Sequence, residues 1–422
     1  MSPHPDAPAP RIPRARLPTL EATFEFLTPA FLGGATPEAE LRIPSIRGAL
    51  RHWLRALDPA WRTREARLFG DTAQQGAVSL STMGPKEPTL WSWKTHEAYL
   101  RRQWRSGEGK FPGNGLAYLG YVLSLPGNEG RMALPAGANF RVDARVFHSR
   151  LEPAEAGEVS KDAWALMGSL WALGTLGALG MRARRGFGSL QITQWRWRMA
   201  DAAWDDALAR LPLVEGTPDA KAAADTVRSG LDTLGAVLGV PTGDQPHLGR
   251  GCTLVVRPSP SRRPPGPEWA WAEPLADIGL QMQQFRTGMK ADRDLALQYL
   301  EAKNKRLNPR LNPVPARAGF GLPLTFRFKR TDTFEGGSFE LNPTRKDGAS
   351  SRRSDRWPSP LRIRVVRTRR GLHPLVLLTA GLHPAAEEIR VRSDRNNPGR
   401  VTHDVTGTFM ATLELGQPTV RR

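Results

Sequence analysis

The stretch "AWALMGSLWALGTLGALGMRARRGFGSLQITQWRWR" (Ala163–Arg198) joins three different patterns end to end. Its first part, Ala163–Met181, contains no charged side chain, which is typical of a helix buried on all sides. Three arginines between glycines follow. The last part, "GSLQITQWRWR", has the residue types of a strand. The stretch therefore predicts a buried helix from about Asp162 to Leu179, a glycine- and arginine-rich turn, and a strand.

Residues 163–181 are also almost long enough to cross a bilayer, which makes a membrane anchor the alternative interpretation. Four glycines and a serine lower the hydrophobicity of this segment, and no second span of this kind occurs in the chain. The N-terminal residues 1–18, "MSPHPDAPAPRIPRARLP", are too rich in proline and too polar for a signal peptide. We therefore expect a disordered arm at 1–18, no membrane association and a cytoplasmic location.

Outward from this stretch, the first half of the chain shows alternating strands and helices. The predicted elements before it are a strand from Thr19, a helix from Ser45 (its N-cap) to Asp58, strands at 76–83 and 139–150, and an irregular insertion at 84–137. With the helix and strand of the opening stretch, the order is βαββαβ. This order predicts a ferredoxin-like, RRM-like domain over residues 19–200.

The second half gives weaker patterns of the same kind. We predict a helical connector at 201–249, a strand at 250–258, a helix near 275–300, a strand at 322–330 and a final buried strand at 372–382. Residues 250–422 are accordingly predicted to form a second ferredoxin-like domain. The fold class is α+β.

The charge of the chain indicates a polyanionic partner. There are 60 Lys and Arg against 41 Asp and Glu, a net charge of +19, and only ten of the cations are lysine. Codon bias in a GC-rich genome explains abundant arginine but not the deficit of acids. Arginine presents a planar set of donors suited to phosphate, so nucleic acid is the expected partner. The single cysteine, Cys252, excludes a disulfide framework.

The first helix carries Arg47, Arg51 and Arg55 at a spacing of four, which places them on one side of the helix. No acid occurs between Glu40 and Asp58. This pattern predicts either a ridge that binds a phosphate backbone or an ordinary solvated face.

The turn at Gly180–Gly188 is the second candidate RNA-binding site. The glycines permit a positive φ and a close backbone approach, and bare amides beside arginines can cradle phosphates. Phe187 either stacks a base or anchors the loop in the core. The alternative is an ordinary helix end with solvated arginines. The candidate residues of this turn are Gly180, Arg182, Arg184, Arg185, Gly186, Phe187 and Gly188.

A third basic region lies in the second half. Between residues 345 and 370 there are ten Lys or Arg and only two acids. The candidate RNA-binding residues here are Lys329, Arg352 and Arg353. Whether the tryptophans at 91, 93 and 104 stack bases or fill an interface is left open by the sequence.

Four segments resemble the RAMP superfamily of CRISPR proteins, and most closely the first-subunit family of Cmr (type III-B) effector complexes. They are "FLTPAFLGG" (26–34), "PSIRGALR" (44–51), "LFG" (68–70) and "GALGMRARRGFGSL" (177–190), with "GLPLTFRFK" (321–329) and "SPLRIRVVR" (359–367) as thinner matches. The proline-rich arm and the tryptophan-rich stretch at 84–115 depart from the family pattern.

The resemblance implies two ferredoxin-like modules in a non-catalytic subunit without a cofactor. Such a subunit holds the 3′ region of the guide RNA and helps capture target RNA for antiviral defence. Its implied partners are the guide RNA, the target RNA and the other Cmr subunits. The family's RNA-contacting regions map onto the first helix and the Gly180–Gly188 turn.

The residues leave two alternative functions open. The first is a metal-independent, repeat-processing endoribonuclease of the same superfamily, with His52 as the general base. Yet His52 lies away from the arginine ridge on the helical wheel, and no metal-ligand pattern occurs in the sequence. The second is a basic scaffold whose charge faces acidic partner subunits. Asp143 is interpreted as a salt-bridge partner of Arg141 or Arg145.

Overall fold

The computed structural model describes residues 17–33, 38–85, 90–103, 114–128, 130–155, 157–258, 266–343, 356–381, 388–392, 399–401, 404–414 and 417–421. Most of the proline-rich arm, Trp104, Arg352 and Arg353 lie outside the described residues.

The first half and the connector contain six strands and seven helices within the described ranges. In chain order they are β1 (Thr19–Phe26), α1 (Ile43–Leu57), α2 (Trp61–Phe69), β2 (Val78–Met83), β3 (Trp91–Ser92), α3 (Trp93–Gln103), α4 (Gly115–Gly120), β4 (Met132–Ala133), β5 (Asn139–Val146), α5 (Lys161–Leu176), β6 (Leu190–Arg198), α6 (Ala202–Ala209) and α7 (Ala220–Leu238).

The second half continues with a further set of elements. In chain order they are β7 (Thr253–Val256), α8 (Ala272–Thr287), α9 (Lys290–Asn304), β8 (Leu324–Phe328), β9 (Gly337–Pro343), β10 (Leu361–Thr368), β11 (Gly371–Leu378), β12 (Glu388–Val391), β13 (Gly399–Arg400), α10 (Val405–Glu414) and β14 (Thr419–Arg421). The mixture of helices with antiparallel sheets confirms the α+β class.

The first sheet has the strand order β2-β5-β1-β6, and all neighbours are antiparallel. Alternation along β1 and β5 buries Phe24, Phe26 and Phe140 on one face, and the strands predicted from Thr19 and at 139–150 are confirmed. The rings of Phe24 and Phe140 stack across the strands at 5.2 Å. Helices α1 and α5 share this buried cluster.

Helix α1 begins earlier than predicted. Ile43 is its first residue and Arg42 its N-cap, so the prediction of Ser45 as N-cap is wrong. Proline has no backbone N–H to donate within a helix. In the first turn this is no loss, because the N–H groups there have no acceptor inside the helix. Pro44 therefore fits inside the first turn instead of preceding it. The predicted end at Asp58 is confirmed.

Helix α5 is buried along its length from Asp162 to Leu176, as predicted. Its glycines allow close packing, since a Cβ at Gly168 would lie 2.7 Å from the Leu234 side chain. The helix ends at Leu176, three residues before the predicted end. Within the described ranges, no helix is long and apolar enough to cross a bilayer.

Residues 84–137 are more regular than predicted. They contain the β3–β4 pair and helices α3 and α4. Helix α4 packs tightly on α8, where a Cβ at Gly115 would lie 2.0 Å from the Ala276 carbonyl oxygen. Such short elements carry too few residues to show a periodicity, and contact with a distant helix stabilises them.

The second sheet has the order β10-β11-β7-β14, and a third sheet has the order β13-β12-β9-β8. Leu254 and Val256 pack with α7, whereas Val255 between them packs with α8 and α10, so helices cover both faces. Two predictions are wrong here. The helix near 275–300 is two helices separated at Gly288, and β11 is followed by three further strands.

Candidate nucleic-acid interface

The loop after α5 needs its glycines because it runs against the protein's own backbone. Gly180, Gly186 and Gly188 have φ values of 95°, 93° and 66°, which confirms the positive φ predicted for Gly180. A Cβ at Gly188 would lie 1.9 Å from the Leu179 carbonyl oxygen. The Gly188 amide donates to the Pro29 carbonyl at 2.9 Å. This amide is therefore used inside the protein and is not free for a phosphate.

Phe187 is completely buried. Its ring packs against Phe31 at 5.9 Å, Trp93 at 5.7 Å and Trp271 at 6.1 Å. A ring without exposed surface cannot stack an incoming base. Of the two roles open for Phe187, the structure supports the anchor.

The three arginines of the loop donate to carbonyl oxygens from distant segments. Arg182 Nε donates to Leu119 at 2.8 Å, and Arg184 donates to Ser359 at 2.5 Å. Within the described residues, the Arg185 side chain makes only a long contact of 3.5 Å with the Phe320 carbonyl oxygen and one of 3.7 Å with the Met282 sulfur. The loop therefore connects α4, α8 and β10.

Two further arginines complete this region. The Arg286 guanidinium donates to the Tyr118 hydroxyl at 2.8 Å. Arg317 pairs with Asp292 at 3.2 Å, the one carboxylate that bonds to this group within the described residues. We define the arginine cluster as Arg182, Arg184, Arg185, Arg286 and Arg317.

The members of the arginine cluster repel one another. Burial, followed by the charges of Arg182 and Arg286, lowers the pKa of the Arg185 guanidinium. Burial also lowers the pKa values of Arg182 and Arg184. Carbonyl oxygens satisfy donors but cancel no charge, so the cluster keeps a strong positive potential.

The α1 ridge, formed by Arg47, Arg51 and Arg55, differs from the arginine cluster because helix α2 supplies a carboxylate next to it. Arg51 donates to Glu65 at 3.2 Å and Arg55 donates to the same carboxylate at 2.6 Å. The Glu65 side chain is only 8% exposed. Arg47 is the ridge member without a carboxylate, and its buried Nε has no partner among the described residues.

The basic region of the second half is divided between the surface and the interior. Lys329 is exposed just after β8. Arg364 on β10 is 1% exposed and donates to the Leu190 carbonyl of β6. Arg367 forms a two-pronged ion pair with Glu25 at 2.6 and 2.9 Å. Much of this charge thus joins the two halves of the chain.

His52 is held by a neighbouring arginine. Arg362 donates a hydrogen bond to His52 Nε2, since a guanidinium has no acceptor. Burial, with the charges of Arg362 and Arg184, lowers the pKa of His52 well below its usual value. The nitrogen needed for a general base is therefore already occupied. The described ranges contain no group of three or more side chains placed to hold a metal.

The sequence missed Arg286, Arg317, Arg362 and Tyr118. Arg362 lies in the basic region between residues 345 and 370 but was not among its candidates, and the other three lie on segments without a distinctive local pattern. The proximity of all four to the loop depends on how α4, α8 and β10 pack. Asp143 pairs with Arg141 at 2.8 Å, which confirms the salt bridge predicted for it.

Residues 23–191 match the model of the RAMP superfamily. The resemblance to this superfamily is thereby confirmed.

A curated relative, the CRISPR system Cmr subunit Cmr1-1 of Pyrococcus furiosus, is 31% identical over 211 residues, which are 48% of this chain and 52% of the relative. The chain thus matches about half the length of this relative. The crystal structure of apo Cmr1 from Pyrococcus furiosus aligns over 96% of this chain and 98% of that chain, at 20% identity with a TM-score of 0.55, and so shows a shared fold.

Proposed function

We propose that this protein is a non-catalytic RNA-binding subunit of a type III-B CRISPR (Cmr) effector complex in the cytoplasm. It holds the 3′ region of the guide RNA and helps capture target RNA, together with the other Cmr subunits. The RAMP match and the identity to the Cmr1-1 subunit support the class of complex. The domains proposed for it are the ferredoxin-like units at 19–200 and 250–422, joined by the connector at 201–249.

Strand order supports the two ferredoxin-like units. The first and second sheets have the orders β2-β5-β1-β6 and β10-β11-β7-β14. If the four strands of each sheet are numbered in chain order, both sheets have the order 2-3-1-4. In both halves a helix follows the first strand and another precedes the fourth, giving βαββαβ. The third sheet is an insertion into the second unit.

The observation that carries the RNA proposal is the arginine cluster. Five arginines from three segments meet with one carboxylate, Asp292, among the described residues. Like charges at close range destabilise the folded protein, and a phosphate backbone removes that cost. The arginine cluster, Arg47, Arg51, Arg55, Lys329, Arg352 and Arg353 together form the proposed RNA-binding surface.

The test is the salt dependence of RNA affinity. We expect Arg286→Gln to weaken binding of single-stranded RNA and to reduce the log–log salt slope by about 0.7 for each phosphate that the variant no longer binds. The matched control is Arg228→Gln on α7, an exposed arginine paired with Asp225. This control should leave the slope unchanged.

An unchanged slope in Arg286→Gln, Arg317→Gln and their double variant would mean that the arginine cluster faces protein and not RNA. Urea unfolding of each variant separates weaker RNA binding by a folded protein from unfolding of the variant.

Incubation of the purified chain with labelled RNA in EDTA tests the endoribonuclease alternative. We expect no cleavage, because His52 Nε2 accepts a hydrogen bond from Arg362. Specific cuts that disappear in His52→Ala would overturn the non-catalytic assignment.

A further inference from the structure

A cleft of about 460 Å³ opens beside the Gly180–Gly188 loop. Its aromatic wall comes from Trp91, His96, Trp269 and Trp271, which belong to two segments far apart in the chain. A cleft of this size lies within the range of small-molecule sites, and one base fits such a volume. The sequence left a base-stacking role open for Trp91, but His96, Trp269 and Trp271 were not among its candidates.

The aromatic rings form fixed walls. Trp91 and His96 are parallel within 3° at 5.1 Å, and Trp271 stands at 88° to Trp91 at 5.8 Å. His96 Nδ1 donates to the Ser92 carbonyl oxygen at 2.8 Å, which fixes the orientation of the imidazole. Trp91, His96 and Trp269 are half-buried, so part of each ring stays exposed to the cleft.

The aromatic wall of the cleft packs against the loop that carries Arg182, Arg184 and Arg185. The ring of Trp271 lies 5.8 Å from that of Trp91 and 6.1 Å from that of Phe187 in the loop. Phe187 and Trp271 are both buried, so this contact fixes the wall in place from inside the protein.

The polar groups of the cleft select among occupants. Arg367 pairs with Glu25 at 2.6 Å and with Glu215 at 3.0 Å, so these charged groups already have partners within the protein. Glu268 is exposed at the cleft and makes no ion pair or hydrogen bond with the described residues. A free carboxylate accepts from the exocyclic amino group of a base.

We propose that this cleft binds one unstacked base of single-stranded RNA, with its faces on the indoles and an amino group towards Glu268. The inference rests on the proposed RNA-binding function and deepens it. Aromatic side chains commonly receive bases that leave the stack in single-stranded RNA. Because uracil has no exocyclic amino group, the cleft favours adenine, cytosine or guanine.

The test uses the full chain and a short oligoadenylate that contains 2-aminopurine. We expect quenching of the 2-aminopurine fluorescence on binding, and loss of that quenching in Trp269→Ala. Affinity should fall about tenfold in this variant, while the salt slope stays unchanged, since the variant still binds every phosphate. Trp195→Ala, a half-buried tryptophan of β6 that does not line the cleft, is the matched control.

A second variant, Glu268→Ala, changes an exposed side chain and leaves the aromatic wall in place. It should reduce the preference for oligoadenylate over oligouridylate. If RNA binds with an arginine-dependent slope but Trp269→Ala changes neither affinity nor quenching, the cleft proposal is wrong and the proposed function stands. If the full chain binds no RNA, the proposed function itself fails.

Discussion

Four arginines of α1 and α2 lie against carboxylates, namely Arg51, Arg55, Arg64 and Arg67, whereas those of the Gly180–Gly188 loop lie against carbonyl oxygens. Arg64 of α2 bonds to Asp58 and, at 3.0 Å, to Asp162, both of which are fully buried. Within the described residues, the Arg185 side chain of the loop has only a distant carbonyl and a sulfur. Both regions are rich in arginine in the sequence, but carboxylates cancel most of the charge in the first and none of that in the loop.

This difference teaches that the local density of arginine does not measure the charge of a surface. A carboxylate both satisfies the donors and cancels the charge, and a carbonyl oxygen does only the first. The α1–α2 region is therefore built for stability. The uncompensated charge of the loop region lowers the stability of the folded protein, and it is the property needed to bind a polyanion.

The largest expected effect is on the carboxylate-paired side. Arg64→Met leaves the buried carboxylates of Asp58 and Asp162 without their shared partner. We expect a loss of about 3–5 kcal/mol in the free energy of unfolding, measured in urea. Arg228→Met, which breaks an exposed pair with Asp225, is the control and should change it by less than ~1 kcal/mol. Equal effects would remove the distinction between the two regions.

Glu65→Gln tests whether one acid neutralises the α1 ridge. Arg51 and Arg55 both lose their charged partner, so we expect a loss of about 1–3 kcal/mol in the free energy of unfolding. The freed guanidiniums should also raise RNA affinity at low salt. An affinity that does not change would show that the ridge lies off the RNA path.

The protonation of His52 makes the stability of the folded protein depend on pH. Because its pKa is lowered on folding, the unfolded chain binds more protons below its own pKa of about 6.5. Stability should therefore fall as the pH falls below about 6.5, by up to ~1.4 kcal/mol per pH unit from this group, with no contribution above it. His52→Gln should flatten the dependence of the urea midpoint between about pH 5 and 6.5. The same slope in both proteins would contradict a neutral, buried His52.

The smallest expected effect has the opposite sign. Arg185→Met removes a half-buried cation from among Arg182, Arg184 and Arg286 and places an apolar side chain beside Met282. We expect the free energy of unfolding to rise by about 1 kcal/mol while RNA affinity falls. A loss of stability as large as that of Arg64→Met would mean that Arg185 is a structural residue like Arg64.

Local patterns predicted much of the first unit. The strands β1 and β5, the uncharged segment of α5 from Ala163 to Leu176 and the positive φ of Gly180 need only neighbouring residues, and each is confirmed. The prediction of an irregular insertion at 84–137 is wrong because the elements there depend on contact with α8. The role of Phe187, which the sequence left open, is decided by tryptophans from two distant segments. The wrong N-cap of α1 has a local cause, since Pro44 fits inside the first turn.

The sequence by itself determined the βαββαβ order of β1, α1, β2, β5, α5 and β6, the excess of arginine and the need for glycine in the loop. Only the tertiary structure decided which arginines keep their charge, because Glu65 lies ten residues from Arg55, and Ser359 lies 175 from Arg184. Periodicity and backbone strain act between neighbours along the chain. Charge compensation acts through space, so it follows from packing.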